Sequence, residues 1–294
     1  MKIVLIGSIE LGLVYAVLAM GVFVTFRVLN TPDLTVDGSF VLGMAVCALQ
    51  VQKGRPFFAL FAAFFAGALA GLATGSLYVK LNIQPILAGV LIAGGLYSVN
   101  IYVMGGRSNI SLFGTSSIFT GSSKMAVLAI VCAVLACVLA VFFKTRMGMA
   151  LRATGDNEEM VRASSINADS CKLVGFCLAN GIAAMSGALL AQYQNSVDVG
   201  YGSGIVVAGL ASVIIGEGIL GRRGIPLSLL GAVTGSVFYR LILAAAFKVS
   251  FFPAYAVKLA SSIIVAAAMG APYVKQGFAK VAKRIKGKEG SDYA

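Results

Sequence analysis

Apolar runs of about 20 residues, long enough to cross a bilayer as a helix, recur from one end of this 294-residue sequence to the other. They lie at Ile3–Phe26, Leu34–Val51, Phe57–Leu77, Pro85–Met104, Met125–Phe143, Leu173–Tyr193, Gly204–Leu220, Pro226–Phe247 and Pro253–Ala271. A soluble fold alternates apolar with charged positions, whereas here 59% of residues are hydrophobic and only 12% charged. In hydrocarbon every backbone polar group must bond internally. The expectation is therefore an all-α integral membrane protein, a polytopic bundle of about nine spans with some broken or re-entrant. Residues 1–274 form its transmembrane domain, with a polar loop at 144–172, and residues 275–294 a basic tail. The first run contains Glu10 and lacks a small-residue cleavage site, so it reads as a retained span and not a secretory signal.

The 23 lysines and arginines exceed the 11 acids by 12. In a soluble chain such an excess suggests nucleic acid, but no basic groove interleaved with aromatics is present, and no nucleic-acid partner is expected. The charges instead gather where topology signals do. Lys144, Arg146, Arg152, Arg162 and Lys172 mark the polar loop, Lys275, Lys280, Lys283, Arg284, Lys286 and Lys288 the tail, and Gln194–Ser203 has none. The positive-inside bias puts loop and C terminus in the cytoplasm, against anionic membrane lipid, and Gln194–Ser203 outside. The same propagation puts the N terminus outside together with Lys53 and Arg55, which fits the bias less well, and a re-entrant second run would reverse that half.

Histidine is absent, which removes triad catalysis and the commonest transition-metal ligand. The five cysteines form no CxxC pair, so neither metal nor cofactor is expected, and no GxxxxGK[ST] loop occurs. The chain reads as non-catalytic. Gly67, Gly71 and Gly75 follow small-xxx-small spacing and suggest close helix contact, while Phe57, Phe58, Phe61, Phe64 and Phe65 suggest a lipid-facing or packing surface.

Within the polar loop, Asp156 or Asn157 can cap a short helix whose first turn carries Glu158 and Glu159. Glu158 and Arg162 stand at i, i+4, and Gly155 permits a chain reversal before the helix. Glu10, Asp37, Glu217 and Arg240 are intramembrane charges, each a functional candidate because charge in hydrocarbon is costly unless paired or wetted. Glu217 stands one turn from Arg222 and reads as an interfacial anchor, an ion pair, or a contact near a cytoplasmic partner. Glu10 and Arg240 fall at similar depth and form a candidate pair. Asp33 and Asp37 flank a Pro/Gly break of the kind that lines a polar pathway, although Asp37 can equally be a cap. Asn100 and Gln192, near outer helix ends, join Asp37 as pathway candidates.

The run Arg146-Met147-Gly148-Met149-Ala150-Leu151-Arg152-Ala153-Thr154-Gly155-Asp156-Asn157, followed by Ala163-Ser164-Ser165-Ile166-Asn167, resembles the cytoplasmic loop of permease subunits in the branched-chain amino acid and ribose class of ABC importers. The resemblance extends to Gly12–Ala16, to the turn Asn30–Gly38, and to Gly209–Glu217, which looks most like the aromatic amino acid subgroup. The turn Thr31–Gly38 departs from the Asn-Phe-Ala-His type of branched-chain permeases, which points away from a branched-chain substrate. What the resemblance implies is an importer permease for a small organic solute, aromatic amino acids first, in the cytoplasmic (inner) membrane of a prokaryote. The implied partners are two copies of an ATPase that binds ATP and Mg, a second permease (most simply another copy of this chain) and an extracytoplasmic binding protein. Residues Gly155, Asp156, Asn157, Glu158, Glu159 and Arg162 would then be the coupling helix that enters a groove of the ATPase. The alternative from another class is an ion-coupled transporter or channel with no ATPase, using Glu10 and Asp37.

Overall fold

Proline placement shows how the sequence punctuates its helices. Pro56 and Pro85 open α3 (Pro56–Leu81) and α4 (Pro85–Val103), where a missing N–H costs nothing. Asn82 and Asn195, both left-handed, close α3 and α8 (Ala168–Gln194). The computed structural model describes residues 2–121, 123–221, 224–248, 262–263 and 266. The remaining helices are α1 (Lys2–Val22), extended by a π-helical turn at Phe23–Val28, α2 (Thr35–Gln52), α5 (Lys124–Phe142), α6 (Arg146–Asp156), α7 (Glu158–Ala163), α9 (Ile205–Leu220) and α10 (Ile225–Lys248). Strands β1 (Asn109–Ser111) and β2 (Ser196–Asp198) pair antiparallel.

Among the described residues, 8 segments are long and apolar enough to span a membrane. The ninth expected run, Pro253–Ala271, apart from residues 262–263 and 266, and the basic tail lie outside the described residues. Residues Met1–Ala244 form one compact unit, and Ala245–Ala294 are set apart as a second.

Helix α8 is the axis of the first unit: 72% of its apolar window is buried, against 17% for α4 and α5, which face outward. Lipid tails are as apolar as leucine, so close backbone approach through small residues has to replace the hydrophobic drive. The glycines on α3 do this. A Cβ at Gly67 or Gly71 would strike the carbonyls of Asn180 or Phe176, and one at Gly43 of α2 would strike that of Ala184. On the far side of α3, Phe57, Phe58, Phe61 and Phe65 are exposed as a lipid-facing row.

Contacts along α8 fix the direction of its neighbours. Glu10 of α1 meets Tyr193 while Leu29 meets Gly175, so α1 runs antiparallel to α8, from the β1–β2 end to the α6–α7 end. In α2, Ser39 meets Asn180 and Cys47 meets Ala188, so α2 runs parallel to α8, back toward the β1–β2 end. Lys53 and Arg55 therefore sit at the β1–β2 end, with Pro56 held by Gln192.

Candidate functional site

The chain reverses between Val28 and Thr35, and this break is where polar groups concentrate. Asp33 accepts from Thr35 N–H (2.8 Å) and from Asn180 Nδ2 (2.6 Å). Asn180 also donates to the Phe176 carbonyl (3.0 Å) and accepts from the Ser39 hydroxyl (2.7 Å). Thr35 and Thr74 share a hydroxyl contact of 2.7 Å. All five side chains are buried. Helix α2 thus starts inside the protein with its first N–H satisfied by a side chain, as a broken helix must.

A second helix starts beside the first turn of α2. Asp37 caps it from another element: its two oxygens accept from Gly204 N–H and Val206 N–H, both at 2.9 Å, at the head of α9. The carboxylate sits against the positive end of the α9 dipole. Helix α2, running toward the β1–β2 end, and α9, running away from it, thereby meet at Asp37.

Beside this junction lies a cavity of about 400 Å³ that includes Asp37, Tyr97, Asn100, Ser108, Asp198 and Ser203 in its lining. Of the pathway candidates, the structure brings Asp37 and Asn100 together here. Asn100 is buried and donates to the Gly38 carbonyl (3.2 Å). Gln192 lies elsewhere. It accepts from Ile118 N–H (3.0 Å) and donates to the Pro56 carbonyl (3.1 Å), tying two loops to α8.

At the opposite end, the polar loop forms two helices, broken at Asn157, where one short helix was expected. Thr145 caps α6 through Gly148 N–H (3.3 Å), and Asn157 caps α7 through Met160 N–H (3.0 Å). Asp156 is the last residue of α6. Gly155 is not a reversal: it lies inside α6, where a Cβ would strike the Val28 carbonyl. Its role is close contact with the end of the π-helical turn. Glu158 binds Lys172 Nζ (2.6 Å) and Arg162 (3.0 Å), and Arg162 also binds Asp169, so α7 is tied to the first turns of α8. Glu159 is exposed. Met147, Met149, Met160 and Ile166 are also exposed, and an apolar groove of about 720 Å³ runs between α6 and the start of α8.

The Lys172 ammonium, with Arg162 beside it, holds the Glu158 carboxyl below the usual range. A depressed folded-state pKa contributes stability above the unfolded value, about 4.3, which is lost as pH falls through the folded value. Glu158→Gln is therefore expected to speed amide exchange in α7 about threefold to tenfold at pH 7, since such half-exposed pairs contribute on the order of 1 kcal/mol. The difference from the unaltered chain should shrink as pH falls below about 4.3 and vanish once pH is below the folded value. A pH-independent difference would assign the effect to packing instead.

Glu217 pairs with Arg27 of the π-helical turn, at 2.6 Å from Nε and 3.2 Å from Nη2. Sequence proximity had suggested Arg222, which lies outside the described residues. A cavity of about 300 Å³ beside the pair is also lined by Arg152 and Asp156 of α6. The expected Glu10–Arg240 pair does not form. Glu10 accepts from the Tyr193 hydroxyl (2.9 Å), and the Arg240 guanidinium stacks 3.6 Å from the Tyr15 ring centroid, because the aromatic side chains of α1 and α8 lie nearer to each charge.

Asn180 and Arg27 were not singled out from the sequence. Asn180 did carry a signal, a lone amide among Ala179, Gly181, Ala183 and Ala184 in a spanning run. Polar groups so placed act as glue between helices.

A multi-pass helical bundle with one helix that starts inside it, and a charged helix pair at one end, has the architecture of a transporter's membrane subunit. The chain belongs to the family described as the branched-chain amino acid transport system permease component, whose model matches residues 4–270, and it is an ABC transporter permease. It is 36% identical to the tyrosine transport system permease protein of Clostridioides difficile, over 80% of each chain. It is 32% identical to an uncharacterized protein of Rickettsia prowazekii over 74% of this chain and 78% of that one. A Methanocaldococcus jannaschii protein, described as a probable branched-chain amino acid transport permease, is 26% identical over 92% of this chain and 91% of its own.

Proposed function

We propose that this chain is the translocation subunit of an importer that carries a small organic solute, an aromatic amino acid first and other amino acids second, across the inner membrane of a prokaryote. The α6–α7 pair docks a cytoplasmic ATPase, two copies of which serve two permease chains, most simply two copies of this one. An extracytoplasmic binding protein delivers solute at the β1–β2 end. ATP and Mg are held by the ATPase, and the permease only moves.

The observation that carries this reading is the way α6 and α7 are mounted. Asn157 and Thr145 cap them, the Glu158–Lys172–Arg162–Asp169 cluster fastens α7 to α8, and Gly155 seats α6 on the Val28 carbonyl. A push on the pair therefore reaches both α8 and the turn that precedes α2. The exposed Met147, Met149, Met160 and Ile166 give a partner an apolar surface to hold. Similarity to the tyrosine permease supports the aromatic substrate.

Gentle purification of the tagged chain tests the reading: an ATP-hydrolysing subunit should accompany it, and reconstituted uptake of tyrosine should require ATP inside. Uptake driven by an ion gradient in the chain alone would replace this proposal with the ion-coupled one.

A further inference from the structure

The cavity at the β1–β2 end has an unbalanced chemistry. Its described polar lining consists of the carboxylates of Asp37 and Asp198, the amide of Asn100 and the hydroxyls of Ser108 and Ser203, with no lysine or arginine among its described lining residues. Neither carboxylate has a cationic partner among the described residues; both are held instead by N–H groups. Asp37 takes two from the head of α9, and Asp198 takes Gly200 N–H (2.6 Å) and Asn109 Nδ2 (3.2 Å). Each carboxylate keeps at least one free lone pair. The α9 dipole offsets only about half a charge of one carboxylate.

Asn100 makes the preference specific. The Gly38 carbonyl can only accept, which orients Nδ2 toward it and fixes the amide against a flip. Oδ1 is then left buried with no donor, in a side chain 1% exposed that lines the cavity. Buried carbonyl oxygens are normally satisfied. The Tyr97 side chain, 56% exposed, lines the same cavity and offers a face to a cation or to another ring.

We propose that this cavity binds the primary ammonium group of a small organic amine, with Asn100 Oδ1, Asp37 and Asp198 as acceptors for its N–H groups and the Tyr97 ring beside its body. An ammonium carries three donors and one positive charge, which matches three acceptors with an excess of negative charge. A volume of about 400 Å³ lies in the range of pockets for molecules of this size. The proposal deepens the permease reading and rests on it for the direction from which the amine arrives: the solute's amino group would be selected by this chain as well as by a binding protein.

The test uses the purified chain in lipid nanodiscs, with no ATPase or ATP present. Tyramine and 3-(4-hydroxyphenyl)propionate, which share a ring and differ in the amine, are compared by saturation-transfer NMR. Tyramine should bind and the acid should not. Asn100→Ala and, separately, the less buried Asp198→Asn should each weaken tyramine about tenfold, the loss expected for one charge-assisted contact. Because Asn100→Ala can also disturb α2 through Gly38, melting temperatures are taken for both variants, and Asp198→Asn with an unchanged melt decides. Equal binding of the acid, full tyramine binding in Asp198→Asn, or displacement of tyramine by sodium at concentrations where N-methylglucamine has no effect would overturn the amine site, the last in favour of an alkali cation. ATP-driven uptake without tyramine binding sinks this site alone. Tyramine binding without ATP-driven uptake sinks the permease reading alone.

Discussion

Asn180→Leu is expected to cost about 3–5 kcal/mol of stability and to abolish uptake, the largest effect of any single side chain in the bundle. The amide is the hub of the interior network: one nitrogen serves both Asp33 and the Phe176 carbonyl, and its oxygen holds Ser39. Leucine fills a similar volume, so the loss would come from stranding partners and not from a void. Asp33 would remain buried with the N–H and hydroxyl of Thr35 as its remaining hydrogen-bond donors among those described. Ser39 would lose its acceptor, and a buried unsatisfied group costs about 1–3 kcal/mol. By comparison, Ser39→Ala leaves one neutral acceptor, the buried Asn180 oxygen, without its Ser39 donor and should cost about 1–3 kcal/mol. Melting of the detergent-solubilised chain checks both values. The double change Asp33→Leu, Asn180→Leu should recover part of the stability, because no charge is then left stranded. If Asn180→Leu melts within about 1 kcal/mol of the parent, the network is decoration and α2 is held by glycine packing alone.

The sequence made the membrane class and most helix bounds legible because those depend on run length and on punctuation by Pro56, Pro85 and Asn157. Gly67, Gly71 and Gly75 announced a contact, and their spacing was enough to show it. What their spacing could not say is that α8 is the partner. In a soluble helix the apolar stripe points to the core, but in lipid both faces are apolar and that clue is absent. The same gap hid the long-range pairs. Asp33 and Asn180 are 147 positions apart and Arg27 and Glu217 are 190, and no local pattern joins them. Gly155 misled for a different reason. A glycine before a cap reads as a hinge, yet its missing Cβ is needed here for a carbonyl on another helix. Asp37 was legible as a cap or a pathway group, and it caps the head of α9 while also lining a cavity.

Arg27 and Glu217 should act as a strut between the break after α1 and the last turn of α9, and removing it is the second large effect expected. The π-helical turn at Phe23–Val28 adds residues to a winding that an α-helix would make tighter, and such insertions redirect side chains. Arg27 thereby reaches Glu217 with two nitrogens, a fork geometry that a lysine cannot reproduce. Burial is unequal: the Glu217 side chain is 8% exposed and that of Arg27 33%. Breaking a fully buried pair costs about 3–5 kcal/mol, so with one partner in contact with solvent Arg27→Leu should cost about 2–3. Arg27→Lys should cost less and retain some uptake. The functional effect should exceed the loss of stability, because the adjoining cavity is shared with Arg152 and Asp156 of α6, the helix seated on Val28 by Gly155. With the strut gone, movement of α6 no longer carries α9 along. In proteoliposomes, Arg27→Leu is expected to lower solute moved per ATP about tenfold while the partner's hydrolysis continues. If transport and hydrolysis instead fall together in proportion to the folded protein recovered, the pair serves stability only, and coupling must run through the Glu158–Lys172 tie into α8.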